Sequence, residues 1–342
     1  MAAVGALDAM AGNGLISRSS IPTGDPRLKL KTLALSPPLR LVWTVALFIG
    51  ANAVLDRLGL GSAPATVLFV TRNAVVALGV FWVSVRLLEG KQLREAGLDP
   101  GRAPQELATG FGLGAAILSA IIGLLAGLGA YRIEGLWPLD PGNSRAGWFA
   151  LTVLGLFLVG FAEEVRNRGI LFRLLEQNLG TWVAMGLSAL LFGFSHWKNP
   201  GATVWSSLAI AFEGGVLVAA LYAATRSLWL PIGVHWAWDL FEGPVFGAAI
   251  SGNSVGALAR GQLSGPAWLT GGAFGPEAGL PALVVGGAAG VLAIVWMIRR
   301  GEVRPPPWVR ARREPEMPIR EPVGPPDGGP AATRAGTVLP RS

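Results

Sequence analysis

"FAEEVRNRGILF", residues 161–172, places two carboxylates and two guanidiniums in the short run from Glu163 to Arg168. It follows directly on "WFALTVLGLFLVG", residues 148–160, a run that belongs in lipid. An ionisable side chain costs roughly 2.5–3.5 kcal/mol at the centre of a spanning helix, and those that occur there face a bundle interior or a water-filled cavity. Four charges at the end of an apolar run therefore point to a site inside a helical membrane bundle.

The rest of the chain agrees with that reading. Its 342 residues are 51% hydrophobic and 14% charged, with 48 glycines and a mean hydropathy of +0.50, a departure from soluble averages toward membrane spans. A span needs about 20 mostly apolar residues, and Gly, Pro and charged breaks leave about eight of them. They are expected at 39–56, 64–86, 107–130, 147–172, 181–197, 204–224, 228–247 and 280–298. The fold class is all-α, a polytopic transmembrane helical bundle with the active site inside it.

Basic residues set the orientation. Arg18, Arg27, Lys29, Lys31 and Arg40 precede the first span, Arg86, Lys91, Arg94 and Arg102 follow the second, and Arg299, Arg300 and Arg304 follow the last. Alternate loops are poor in them, with residues such as Arg57, Lys198 and Arg260. Both termini are expected in the cytoplasm of a prokaryotic cell, the protein lying in the plasma membrane. The net charge of +7 then follows from topology and anionic lipid, and no base-reading element marks a nucleic-acid partner. The chain has no cysteine, hence no disulfide and no thiol nucleophile. Its first residues lack the basic-then-apolar layout of a cleavable signal.

Three regions follow. Residues 1–36 are read as a flexible cytoplasmic segment, 37–300 as the transmembrane domain with its core at 105–245, and 301–342 as a disordered Pro- and Arg-rich cytoplasmic tail. Residues 248–279 form a long glycine-rich loop, read as a floppy external connection in preference to a lid or re-entrant segment. No internal repeat is present.

Helical geometry sorts the charges. Glu164 and Arg168 are four apart with Glu N-terminal, the favourable order for a pair. Glu163 projects about 100° away and is the carboxylate free to face another neighbour. Only two histidines occur, His196 in "FGFSHW" and His235 in "GVHWAWD", both in apolar spans; His235 shares a helical face with Asp239. Glu213 and Arg72 are further intramembrane charges. A buried histidine is commonly a packing residue, but two histidines and a glutamate can hold zinc with an open position or activate water by general-base catalysis.

These motifs resemble the CPBP intramembrane proteases, which include the type II CAAX prenyl endopeptidases and bacteriocin-processing, Abi-like proteins. "EEVRNRG" is similar to their Glu-Glu-x-x-x-Arg-Gly signature, Phe192 to His196 to their Phe-x-x-x-His motif, and His235 to Asp239 to their His-x-x-x-Asn/Asp motif, in the same order. The resemblance implies a catalytic set of Glu163, His196, His235 and Asp239: Glu163 and His196 would activate water, and His235 and Asp239 would stabilise the oxyanion. Glu164 and Arg168 would hold the motif helix. Metal and metal-free mechanisms are both open; a bound ion such as zinc would be held by Glu163, His196 and His235. The substrate would be a membrane-associated peptide or protein in the bilayer, cut in CAAX-type C-terminal processing or elsewhere. Two positions depart from the pattern: Arg166 and Asn167 replace an apolar and an aromatic residue, and Arg166 is within reach of Glu163. A catalytically inactive scaffold or immunity-type protein of the same fold, and a proton-coupled transporter, are the alternatives.

Counted at about 1.5 Å per residue, Glu163 is about 15 Å from Arg173, His235 about 10 Å from Leu228 and His196 about 24 Å from Gly180. A shared plane requires the fifth span to begin late, and the mixed character of residues 171–180 suggests an interfacial amphipathic segment there.

Overall fold

The computed structural model describes residues 36–58, 67–136 and 144–313. The expected segment 1–36 lies almost wholly outside the described residues, as does the tail from residue 314 onward. Chain packing divides the protein into Met1–Pro307 and Trp308–Ser342.

The described helices are α1 (Pro37–Arg57), α2 (Val67–Trp82), α3 (Ala103–Gly127), α4 (Ser144–Glu164), α5 (Arg173–Ser195), α6 (Val204–Ile210), α7 (Val216–Thr225), α8 (Trp229–Leu240), α9 (Ala267–Thr270), α10 (Leu280–Arg299) and α11 (Pro307–Arg313). Wider π-helical turns extend α2 over Val83–Leu88, join α4 to α5 over Val165–Phe172, join α6 to α7 over Ala211–Gly215 and extend α8 over Phe241–Val245. The protein is an all-α polytopic bundle. Among the described residues, six helices are long and apolar enough to cross a membrane: Pro37–Arg57, Leu68–Leu88, Ala103–Gly127, Gly147–Ser195, Val204–Thr225 and Leu280–Arg299. The expected fourth and fifth spans both fall within Gly147–Ser195. Exposed side chains such as Val75, Val291 and Leu292 give the helices an apolar outer face, as required where lipid is the solvent.

The joined helix breaks at Gly180, whose φ of 79° and ψ of 169° lie outside the helical region. Glycine is needed there twice over, because a Cβ would also sit 2.8 Å from the nitrogen of Pro306 and 2.9 Å from the carbonyl of Arg304. The Thr181 amide donates to that same Arg304 carbonyl at 2.9 Å. The elbow changes the depth relation expected from the sequence. The helix through Glu163 does not end near Arg173 but continues to the elbow, so Glu163 and His196 lie about 26 Å and about 24 Å from it along their respective arms. Nor is the segment before the elbow an interfacial amphipathic helix. Arg173 and Glu176 are buried, Arg173 against Glu89 at 2.6 Å and Glu176 against Arg226 at 2.6 Å. Their charges are satisfied inside the protein, which is why the mixed composition does not mark a lipid surface.

At the opposite end, β1 (Tyr131–Leu136) pairs antiparallel with β2 (Ala259–Leu263), Tyr131 opposite Leu263 and Ile133 opposite Gly261, with a bulge before Leu136. Residues 248–279 are thus a folded cap, in contrast to the floppy connection expected. The Glu277 carboxylate accepts from the Ser251 amide at 2.8 Å and its hydroxyl at 2.6 Å, and Asn199 Nδ2 donates to the Ser251 carbonyl at 2.9 Å. The composition concealed this because the residues that hold the segment are distant in sequence: the polar anchors above, and Phe274 and Ala278 buried against Phe192 and Ile210.

Candidate active site

Glu163 and Glu164 end α4, and the π-helical turn that follows carries Arg166, Asn167 and Arg168. Such turns insert a residue's worth of rotation and recur at functional sites. Asn167 Nδ2 donates back to the Glu163 carbonyl at 2.9 Å. Arg168 is fully buried and donates from Nη1 to Glu164 Oε1 at 3.1 Å and from Nη2 to the Gly215 carbonyl at 2.9 Å. Its guanidinium lies over the Phe192 ring, 4.6 Å from the centroid. Arg168 therefore ties α4 to the α6–α7 junction and to α5 at once.

The two glutamates separate as their spacing predicts. Glu163 Oε1 is 3.6 Å from Arg166 Nη2, while its Oε2 is 4.0 Å from His196 Nε2 and has no hydrogen-bond partner among the described residues. Arg166 thus folds back onto Glu163. His196 caps α5, and its Nδ1 is 2.9 Å from the Phe192 carbonyl. A carbonyl only accepts, so Nδ1 carries the proton and the Nε2 lone pair is left facing Glu163. The loop behind His196 is stopped by a capping box at the start of α6, in which Thr203 Oγ1 accepts from the Ser206 amide at 3.0 Å and Ser206 Oγ from the Thr203 amide at 2.8 Å.

His235 comes from α8, whose start is fixed by the Leu228 amide donating to the Gly97 carbonyl at 2.9 Å. Its approach depends on small residues of α3: a Cβ on Gly110 would lie 2.2 Å from the Leu230 carbonyl, and one on Gly114 2.3 Å from that of Val234. This is the small-xxx-small crossing by which membrane helices bring their backbones together. His235 Nδ1 is 2.9 Å from Glu164 Oε1 and Nε2 is 3.7 Å from Asp239 Oδ2. Phe192 stands edge-on to both histidines, with centroids 5.1 Å from His196 and 5.9 Å from His235.

The structure thus gathers Glu163, Glu164, Arg168, His196, His235 and Asp239 in one interior cluster. Reasoning from spacing within each helix missed the bond between Glu164 and His235, which joins two spans; Glu164 is a ligand of the histidine as well as of Arg168. A fully buried carboxylate needing more than one donor was the available signal. Arg72 lies elsewhere, paired with Asp56 at 2.7 Å, and Glu213 is buried against Gly286 of α10. The donors suggested for a metal do not converge. His235 turns its two nitrogens toward Glu164 and Asp239, and among the described residues no three His, Asp or Glu side chains are grouped to hold an ion.

Residues 145–241 match the family model described as type II CAAX prenyl endopeptidase Rce1-like. The similarity covers 97 of the 342 residues. The finding agrees with the CPBP kinship implied by the three motifs, all of which lie inside the match. The match runs from α4 to the first residue of the turn that extends α8, and leaves α1–α3 and the cap outside it. No curated protein and no solved structure matches the chain.

Proposed function

We propose that this integral membrane protein is an intramembrane endopeptidase that hydrolyses a peptide bond of a membrane-associated protein or peptide, with C-terminal processing of the CAAX type as its mode. The observation that carries the reading is the 4.0 Å separation of Glu163 Oε2 and His196 Nε2, two acceptors turned toward each other. A water there donates one hydrogen to each and turns a lone pair outward. Attack on the scissile carbonyl forms the C–O bond as Glu163 takes the water's proton. Collapse of the tetrahedral intermediate breaks the C–N bond, and the proton passes from Glu163 to the departing amine. His235, held at Nδ1 by Glu164, presents Nε2 beside Asp239; as an imidazolium it donates from that nitrogen to the developing oxyanion. No step of this reading passes through a metal.

The orientation with both termini in the cytoplasm belongs to the same proposal. It is supported by the gathering of Arg102, Arg226 and Arg304 at the elbow end, where Arg102 donates to the Thr225 carbonyl at 3.2 Å and Arg226 pairs with Glu302 at 2.9 Å.

The test compares N- and C-termini of membrane proteins, by mass spectrometry, in cells expressing wild type or Glu163→Gln at equal abundance. New termini with wild type alone are expected. Identical termini, with a synthetic peptide library also uncut by the purified protein, would favour the inactive scaffold, in which the Arg166 contact has disabled Glu163.

A further inference from the structure

Beyond Asp239 the helix that carries His235 ends in a carboxylate that the chemistry above does not use. Glu242 lies in the π-helical turn that extends α8 and is fully buried, and neither of its oxygens receives an N–H or O–H donor among the described residues. The group it touches is a second carboxylate: its side chain is in hydrogen-bond contact with that of Glu277 in the cap. The other charges facing it are acidic as well, Asp239 on α8 and Glu213 on the turn between α6 and α7. Two carboxylates only accept, so a hydrogen bond between them requires a proton on one. Glu277 Oε2 already takes the Ser251 amide and hydroxyl, at 2.8 Å and 2.6 Å, which leaves Glu242 as the donor. This contact joins the segments that bear the two histidines. The turn holding Glu242 is packed into the cap, where a Cβ on Gly243 would lie 2.5 Å from Val255 and 2.6 Å from Ile250. From Glu277 the line runs on through Ser251, whose carbonyl accepts Asn199 Nδ2 at 2.9 Å, and the Asn199 amide donates to the His196 carbonyl at 3.0 Å.

We propose that Glu242 and Glu277 are positioning residues that share one proton, and that this proton latches the cap to the His235 helix and so fixes the spacing of His235 and His196. What that spacing serves rests on the proteolytic reading; the latch adds a proton-dependent control of the same site. Loss of the proton leaves two like charges in contact, with Asp239 and Glu213 adding to the repulsion. The latch is therefore closed at low pH and released as pH rises through the titration of the pair. A glutamine at 242 keeps an N–H donor toward Glu277 at every pH, whereas a methionine offers none.

The experiment follows the full chain in phosphatidylcholine nanodiscs over a pH series. Infrared difference spectra of wild type against Glu242→Gln should show the carbonyl stretch of a protonated carboxylic acid in wild type alone, fading as pH rises. Amide hydrogen exchange across residues 248–279 should be about fivefold faster in Glu242→Met than in Glu242→Gln. Wild type should match Glu242→Gln at low pH and reach or pass Glu242→Met at high pH, the variants being compared at each pH so that intrinsic exchange cancels. Should Glu242→Met not fold, wild type against Glu242→Gln carries the test alone. An exchange ratio between those two that does not change with pH, or an acid band that survives in Glu242→Gln, would overturn the proposal. A divalent cation is the rival occupant. If EDTA releases the wild-type cap and magnesium or calcium restores it, the carboxylates hold a metal and the shared proton is wrong. A cleavable peptide separates the two readings: a pH-dependent cap with no cleavage sustains the latch and defeats the peptidase, while cleavage with a cap indifferent to pH and to residue 242 does the reverse.

Discussion

Glu164 and His235, on two different spans, are joined by a 2.9 Å contact between Oε1 and Nδ1, and the same oxygen receives Arg168 at 3.1 Å. One fully buried carboxylate therefore fixes both the motif helix and the histidine across from it. Two donors converging on one buried acceptor make its removal costly. Breaking a buried pair leaves an uncompensated charge, at about 3–5 kcal/mol. Glu164→Gln is expected to lower the thermal midpoint in detergent by several degrees and to reduce activity, whereas Arg168→Met in the Glu164→Gln background should restore part of the stability. A double variant no more stable than the single would show that the two side chains are not coupled.

The crossing of α3 and α8 sets the position of His235. Gly114→Val would force its Cβ into the Val234 carbonyl, where the space is 2.3 Å. Overpacking of this kind costs about 1–3 kcal/mol and shifts backbone. Loss of stability with a larger loss of turnover is expected, while Gly112→Val, at a position with open space around its Cβ, should leave both nearly unchanged.

Arg166 holds Glu163 Oε1 at 3.6 Å from a partly exposed guanidinium. The contact competes with His196 for the Glu163 carboxylate. Arg166→Met should raise kcat, by no more than about fivefold given that exposed pairs are worth up to about 1 kcal/mol. A fall in kcat would assign Arg166 the opposite role, that of orienting the carboxylate toward His196.

The elbow offers a separate test of how the two arms are aligned. Gly180→Ala combines a positive φ of 79° with a contact of 2.8 Å to Pro306. Strain of about 1–3 kcal/mol is expected, visible as a lowered thermal midpoint. An unchanged midpoint would mean that the break at Gly180 is not enforced by its conformation.

Much of this architecture was legible in the sequence because lipid imposes a strong rule: apolar runs of spanning length must be helices. The pairing of Glu164 with Arg168 and the divergence of Glu163 also followed, since both are properties of one helix. What a single helix does not contain was hidden. The bond from Glu164 to His235 joins α4 and α8, and the equal distances of Glu163 and His196 from Gly180 depend on where the chain turns. Length misled there, because the arm before the elbow continues past Arg173 by satisfying that charge with Glu89. The cap was concealed for a similar reason: its order comes from Glu277, Ser251 and Asn199 and from Phe274 and Ala278 packed on Phe192 and Ile210, residues distant in sequence that carry no periodic signal.

The central claim is that Glu163 and His196 act on one water. Turnover of a cleavable peptide by purified Glu163→Gln, His196→Gln and the double variant tests it most directly. Residues that act as a unit are not additive: each single change should cost about 10²–10⁴ in kcat, and the double variant should be no slower than the slower single. Losses that multiply in the double variant, or full activity in Glu163→Gln, would contradict the account.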